Sequence, residues 1–284
     1  MASGLAFAFL LAAIAAGARQ GGWGAASLQS EMDSGSASKR VLIYTKTTAY
    51  VHESTPYAAK FIAKTCKQMG HHSVISDNST LLEDRAMAEG FDAIVFVSNL
   101  GQIFDTHKEH IAAHIAAGKG IFGLHAIIGS FRDDLMSEDG KTSVWTSHLI
   151  EDVFGAHFGD YPPHPPRQSA KLTVDAKEAE KLGLNLPTSF VHEDEFFNYN
   201  RNPAQMEGVS VVASVDENSY EGGIMGVQHP VVWYRTLGKN EARVFYCGLG
   251  HATENYNGEG SGYVASFVEA GLKYILKAPQ TITM

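Results

Sequence analysis

Val41 to Thr45 is a short apolar run of strand length, and the period changes directly after it. Tyr57, Phe61, Ile62, Cys66 and Met69 fall on one helical face. Ser54 or Thr55 can cap that helix, Pro56 suits its first turn and Gly70 ends it. A second strand is predicted at Asp92 to Val97. The helix after it has apolar positions Ile111, Ala112, Ile115 and Ala116, with capping-box spacing at Thr106 and Glu109 and a stop at Gly118. Gly120 to Leu124 is the next strand. Runs that are apolar on both faces and alternate with helices predict an α/β fold, a mainly parallel sheet with helices on both faces.

Beyond His148 the pattern is strand-rich. Lys171 to Val174, Phe190 to Phe196, Val209 to Ser214, Val231 to Arg235 and Arg243 to Cys247 read as strands with few helices between them, so added antiparallel strands are expected. Ser261 to Lys277 closes the pattern as an amphipathic helix, with Val264, Phe267, Val268, Leu272 and Ile275 on its stripe. No internal repeat and no Gly/Pro linker divides residues 41–278, which predicts one domain. Ahead of it, Leu5 to Ala16 followed by Ala16-Gly17-Ala18 has the character of a secretory signal peptide over residues 1–18. No Lys or Arg precedes that stretch, so an organellar presequence or an uncleaved anchor are the alternatives. Residues 19–40, rich in Gly, Ser and Ala, read as a disordered linker. The expectation is a secreted protein, with no membrane contact after cleavage, and the sequon Asn78-Ser79-Thr80 fits it.

Charge narrows the partners. Among 284 residues, 22 Lys and Arg face 31 Asp and Glu, a formal charge of −9, which is the wrong sign for a phosphate-tracking surface; nucleic acid is not expected as a partner. Cys66 and Cys247 have neither a CxxC spacing nor a disulfide framework, and neither reads as a catalytic thiol.

In open α/β sheets ligands bind beyond the carboxyl ends of the strands. The informative polar residues follow strands here: His52 and Glu53 after the first, Asn99 after the second, His125 after the third, and His251 after the last, while His229 opens an antiparallel one. His125 occupies a tight strand-to-helix corner, and Asp194 and Glu195 stand in a strand-like run where Val or Ile is usual. Their conventional readings are a core imidazole for His125, helix-entry residues for His52 and Glu53, turn chemistry for His229 and a solvated edge pair for the carboxylates. His71, His72, His107, His110, His114 and His148 read as surface or helix-face residues.

Six segments, "YVHES", "GIFGLHAII", "HEDEFFNYN", "ASVDENSY", "HPVVWYR" and "ARVFYCGLGHATENY", occur in the order of the trehalose-utilisation, ThuA-like family, and the sequence resembles that family over about residues 41–278. The resemblance implies a flavodoxin-like sheet of the class I glutamine amidotransferase type. In active amidotransferases the nucleophile corner holds cysteine. His125 stands there in this chain, so glutamine hydrolysis through a thioester is excluded. The resemblance further implies a role in disaccharide utilisation, on sugars oxidised to their 3-keto forms. It carries His52 and Glu53, His125, Asp194 and Glu195, His229 and His251 onto family motifs. Two departures stand out: Val51 where the family often has a further His, and Ile127-Ile128 after the corner.

Neutral imidazoles with carboxylates suit Zn²⁺, Mn²⁺ or Fe²⁺, and such an ion would polarise a sugar ketone. The expected catalytic residues are His125, Asp194, Glu195 and His251. Substrate contacts are expected from His52, Glu53, Asn99, His229 and Tyr256, with metal ligation from His52, His125, His229 and His251. Phe196, Phe197, Tyr199, Tyr234 and Tyr256 are candidate walls for a small carbohydrate ligand. Two further classes compete: a non-catalytic sugar-binding or sensing module, and a hydrolase using Ser54 or Ser130. The last lacks a Gly-x-Ser-x-Gly elbow.

Overall fold

The structure, a computed structural model, describes residues 37–104, 108–136, 143–159, 163–260 and 262–277. The expected signal peptide, nearly all of the expected linker and the Thr106 cap lie outside the described residues.

The first half of the chain runs β1 (Arg40–Tyr44), α1 (Thr55–Gln68), β2 (His72–Ser76), α2 (Thr80–Glu83), α3 (Arg85–Glu89), β3 (Ala93–Val97), α4 (Lys108–Ala116), β4 (Gly120–Leu124), β5 (Arg132–Met136), β6 (Ser143–Trp145) and α5 (Leu149–Phe154). The second runs β7 (Gln168–Val174), α6 (Ala176–Leu182), β8 (Ser189–Asp194), β9 (Val209–Val215), β10 (His229–Leu237), β11 (Ala242–Cys247), α7 (Glu254–Asn257) and α8 (Tyr263–Leu276). Nine strands form one sheet in the order β2-β1-β3-β4-β11-β10-β9-β7-β8, while β5 and β6 make a separate antiparallel pair. From β2 to β11 every pairing is parallel, giving the flavodoxin order with β11 as fifth strand; from β11 to β8 every pairing is antiparallel. The expected mixed architecture is therefore present. Among the described residues, no helix is long and apolar enough to cross a membrane.

The doubly apolar strands explain this arrangement. Alternate residues point to opposite faces: Val41 and Ile43 enter one core with α1 and α8, and Leu42 and Tyr44 enter the other with α4 and α5. The β3 residues divide likewise, Val95 and Val97 to the first core and Ile94 and Phe96 to the second. Strand β2, absent from the sequence reading, is the exception. Its residues are half-buried or exposed, as suits a short edge strand without a continuous apolar run.

The register brings the loops to one edge. Leu124 pairs with Val97 on one side and Cys247 on the other, so β3, β4 and β11 end level. Tyr44 pairs with Phe96, which brings the end of β1 to the same edge. The reversal of strand order between β1 and β3 lies here too, where a crevice opens in sheets of this order.

Helix α8 approaches β4 and β11 through Gly271. A Cβ there would lie 2.6 Å from Phe245 Cδ1 and 2.9 Å from Phe122 Cε1, two rings with no room to retreat in a packed core. Gly271→Ala is expected to destabilise the fold by roughly 1–3 kcal/mol in urea unfolding. No loss of stability would remove this contact as a constraint on how α8 seats.

Candidate functional site

His125 follows β4 and begins a 3-10 turn, His125–Gly129, with φ +55°, a left-handed backbone that a non-glycine residue seldom adopts. Two bonds fix it there. Tyr246 Oη donates to its carbonyl at 2.8 Å, and Nδ1 lies 2.9 Å from the Gly248 carbonyl. A carbonyl only accepts, so Nδ1 carries the proton and Nε2 is left with a lone pair. That Nε2 is buried and makes no hydrogen bond.

His52 and His251 complete a group of three rings. His52 packs edge-on against both partners, with centroids 4.7 Å from His125 and 5.3 Å from His251; His125 and His251 are 5.5 Å apart. Glu195 reaches into the group, its Oε2 3.2 Å from His251 Nδ1 and 3.6 Å from His125 Nε2. One ligand atom from each of the four residues lies within 4.8 Å of all the others.

Burial, followed by the neighbouring His125 and His251 rings, pushes the His52 pKa down to about 3, so this imidazole is neutral at physiological pH. The interaction with Glu195 outweighs burial at His251 and raises its pKa. Burial opposes ionisation of Glu195, but its contacts with His125 and His251 prevail and hold the carboxyl well below its usual range. Imidazoles around one ionised carboxylate are a donor set that suits a divalent transition metal. His52 Nδ1 and His125 Nε2 are buried without a hydrogen bond, as atoms reserved for a ligand would be. The bond from His125 Nδ1 to Gly248 is the outer support that metal-binding imidazoles use.

His52, Glu195 and His251 line one end of a cavity of about 560 Å³, within the usual range for a small-molecule site. His125 lies behind them and does not line it. Tyr50, Leu100, Phe158 and Phe197 supply apolar wall. Two polar lining residues, His164 and Arg132, were missed in the sequence. His164 sits in "PPHPPR", where flanking prolines pin the loop, and its Nδ1 is 2.9 Å from the Pro165 carbonyl, leaving Nε2 as the basic nitrogen. That proline frame was the available signal. Arg132, next to the corner, gave none.

Other expected site residues stand apart. His229 is the main correction to the four-imidazole set: it is fully buried, with Nε2 2.9 Å from the Phe197 carbonyl and Nδ1 2.8 Å from Glu217 Oε1. Both nitrogens are committed, and His229 belongs to the core. Asn99 donates to the carbonyls of Tyr44 and Lys46 and so braces the loop after β1 without lining the cavity. Glu53 is exposed away from the cavity, and the Tyr256 hydroxyl donates to the Gly250 carbonyl from behind the final loop. Among the expected aromatic walls only Phe197 reaches the cavity. Phe196 enters the core, Tyr199 donates to the Pro230 carbonyl and Tyr234 to Glu178. Ser54 and Ser130 are buried outside it. Burial raises the Cys66 thiol to about 11 and Cys247 further still, which leaves no thiolate for nucleophilic chemistry.

Residues 40–275 match the family described as ThuA, trehalose utilisation. The chain belongs to the ThuA family. Among solved structures, a ThuA-like protein from Bacteroides uniformis superposes with a TM-score of 0.64 at 18% identity, covering 88% of this chain and 96% of its own. Another from Parabacteroides merdae gives 0.55 at 15% identity, with 86% and 94% covered. A glutamine amidotransferase from Thermotoga maritima gives 0.49 at 8% identity, with 85% and 100% covered. No curated protein matches the chain. At these identities the likeness is one of fold.

In this ThuA family member Asp194 serves the site from inside the protein. It is fully buried and accepts from the backbone N–H groups of Gly250 at 2.8 Å, Glu195 at 2.9 Å and His251 at 3.2 Å, with His192 Nε2 at 3.3 Å. Burial opposes its ionisation, but the His192 bond, the nearby His125 and the Gly250 amide hold its pKa below the usual value. Ionised Asp194 therefore stabilises the fold above about pH 3.9, the unfolded value, and that contribution is lost as pH falls through the lower folded value. Asp194→Asn is expected to cost roughly 2–4 kcal/mol at pH 7, with the gap to wild type narrowing as unfolding is repeated toward pH 3. A gap that did not change with pH would show the charge to be unimportant.

Proposed function

We propose that this protein is a carbohydrate-active enzyme that acts on keto-sugars or 3-keto-glycosides, by proton abstraction beside the ketone followed by isomerisation or eliminative cleavage. The observation that carries this reading is the set of three imidazoles and Glu195 whose ligand atoms lie within 4.8 Å of one another beside a sugar-sized cavity. His52, His125, His251 and Glu195 would hold a divalent Zn, Mn or Fe ion. Such an ion would supply Lewis-acid polarisation of the ketone.

His164 is suited to be the base. Its Nδ1 proton is tied to Pro165, and Nε2 is left to take the proton from the carbon between the ketone and the anomeric centre. In the eliminative course that electron pair forms the new carbon–carbon double bond as the glycosidic C–O bond breaks. The departing oxygen then receives a proton, and His164 is the group able to return it. Tyr50, Phe158 and Phe197 offer apolar surface for a sugar ring and limit water near the reacting carbon.

Metal analysis of purified protein, with turnover of a 3-keto-disaccharide, tests the reading. Wild type should carry a stoichiometric divalent ion and lose both ion and activity on chelation. His125→Ala should fold, lose the ion, and fall in kcat/KM by about 100-fold or more. His164→Ala should keep the ion but lose on the order of 10²–10⁴ in kcat. Equal activity in His125→Ala and wild type would remove the imidazole cluster from the mechanism. Tight sugar binding with no product over long incubation would turn the reading to a sugar-binding module.

A further inference from the structure

Arg132 is the one guanidinium among the cavity's described lining residues, and Glu195 is the one carboxylate. They are not paired. Glu195 is occupied by His251 at 3.2 Å and His125 at 3.6 Å, with His164 Nδ1 at 3.9 Å from its other oxygen. Arg132 makes no ion pair among the described residues, and its Nη1 is shut off from solvent without a hydrogen-bond partner. A guanidinium presents five donors in a rigid fork that fits planar or tetrahedral oxyanions, and a donor of that kind is seldom left dry and unused.

The backbone has been bent to put it there. Phe131, just before it, has φ +67°, a conformation costly for a bulky residue. The bend is held by the bond from Phe131 N–H to the Gly101 carbonyl at 3.0 Å and by Thr146 N–H donating to the Phe131 carbonyl at 2.8 Å. A strained turn delivering a cation without an ion pair among the described residues to the wall of the cavity is a specificity device.

We infer that the cavity selects a sugar bearing an oxyanion group, a carboxylate or a phosphoryl ester, which Arg132 holds by charge-assisted hydrogen bonds while the sugar ring reaches toward the imidazole cluster. This deepens the proposed keto-sugar chemistry and rests on it for the ring's placement. The chain's formal charge of −9 makes the long-range field repel an anion. Recognition therefore falls to the local cation, whose charge-assisted bonds are strong where water is limited.

The test is calorimetric binding of glucose, glucuronate and glucose 6-phosphate to the full chain, in wild type, Arg132→Gln and Arg132→Lys. In wild type one of the two charged sugars should bind at least about tenfold more tightly than glucose, and which one wins identifies the oxyanion. Arg132→Gln should bring the charged and neutral sugars to equal affinity, and Arg132→Lys should keep part of the preference. Equal binding of all three sugars by wild type, or no sugar binding, overturns the inference whether or not the variants fold. A preference that survives in Arg132→Gln also overturns it, because the anion would then be held elsewhere. Binding needs no turnover, so the outcomes separate: anion preference without keto-sugar turnover sinks only the proposed reaction, and turnover of neutral keto-disaccharides without anion preference sinks only this inference.

Discussion

The site depends on one buried carboxylate. Asp194 ends β8, four places from β11 in the strand order, which in a flat sheet would put it about 19 Å away at about 4.8 Å per strand. Yet its oxygens receive the N–H groups of Gly250 and His251 in the loop after β11. Asp194 thus clasps the far edge of the antiparallel half to the loop after β11. Glu195 and His251 are set by that clasp, one as the next residue and the other through its own backbone. An uncharged acceptor at position 194 would have to hold three N–H groups with one oxygen.

The same interaction divides the labour between adjacent acidic residues. Asp194 faces inward and is spent on backbone; Glu195, turning away from the end of the strand, is free to meet imidazoles. Phe196 and Phe197 repeat the alternation, one in the core beneath α1 and α8 and the other on the cavity wall. Two neighbouring residues of like chemistry thus serve structure and site because successive side chains of an extended segment point opposite ways.

How much of this the sequence disclosed follows from the same physics. The parallel half was legible because its strands are buried on both faces and each must be apolar throughout, and His52, His125 and His251 could be grouped because each follows such a strand. Strand β2 was illegible because an edge strand needs no continuous apolar run. His229 misled because its partners, Glu217 and the Tyr220 hydroxyl at 2.9 Å, come from an irregular turn that no periodicity announces. Tyr256 and Asn99 were placed at the right edge but on the wrong side of the loops they brace. His164 and Arg132 reach the cavity from a proline-framed loop and a left-handed bend, where neither helical nor strand period predicts direction.

The histidine at the corner follows from what the corner demands. A left-handed residue at the end of a central strand holds its side chain in a fixed direction, an orientation worth keeping only for a group whose job is positional. A thiol there would need a base and an open approach to become a nucleophile. His125 has neither need: it is sealed from solvent, its proton is pinned to Gly248, and its lone pair faces His52 and Glu195. Such a group cannot attack a ligand it does not touch. The corner's strain is thus better matched to holding an imidazole in a fixed place than to covalent catalysis.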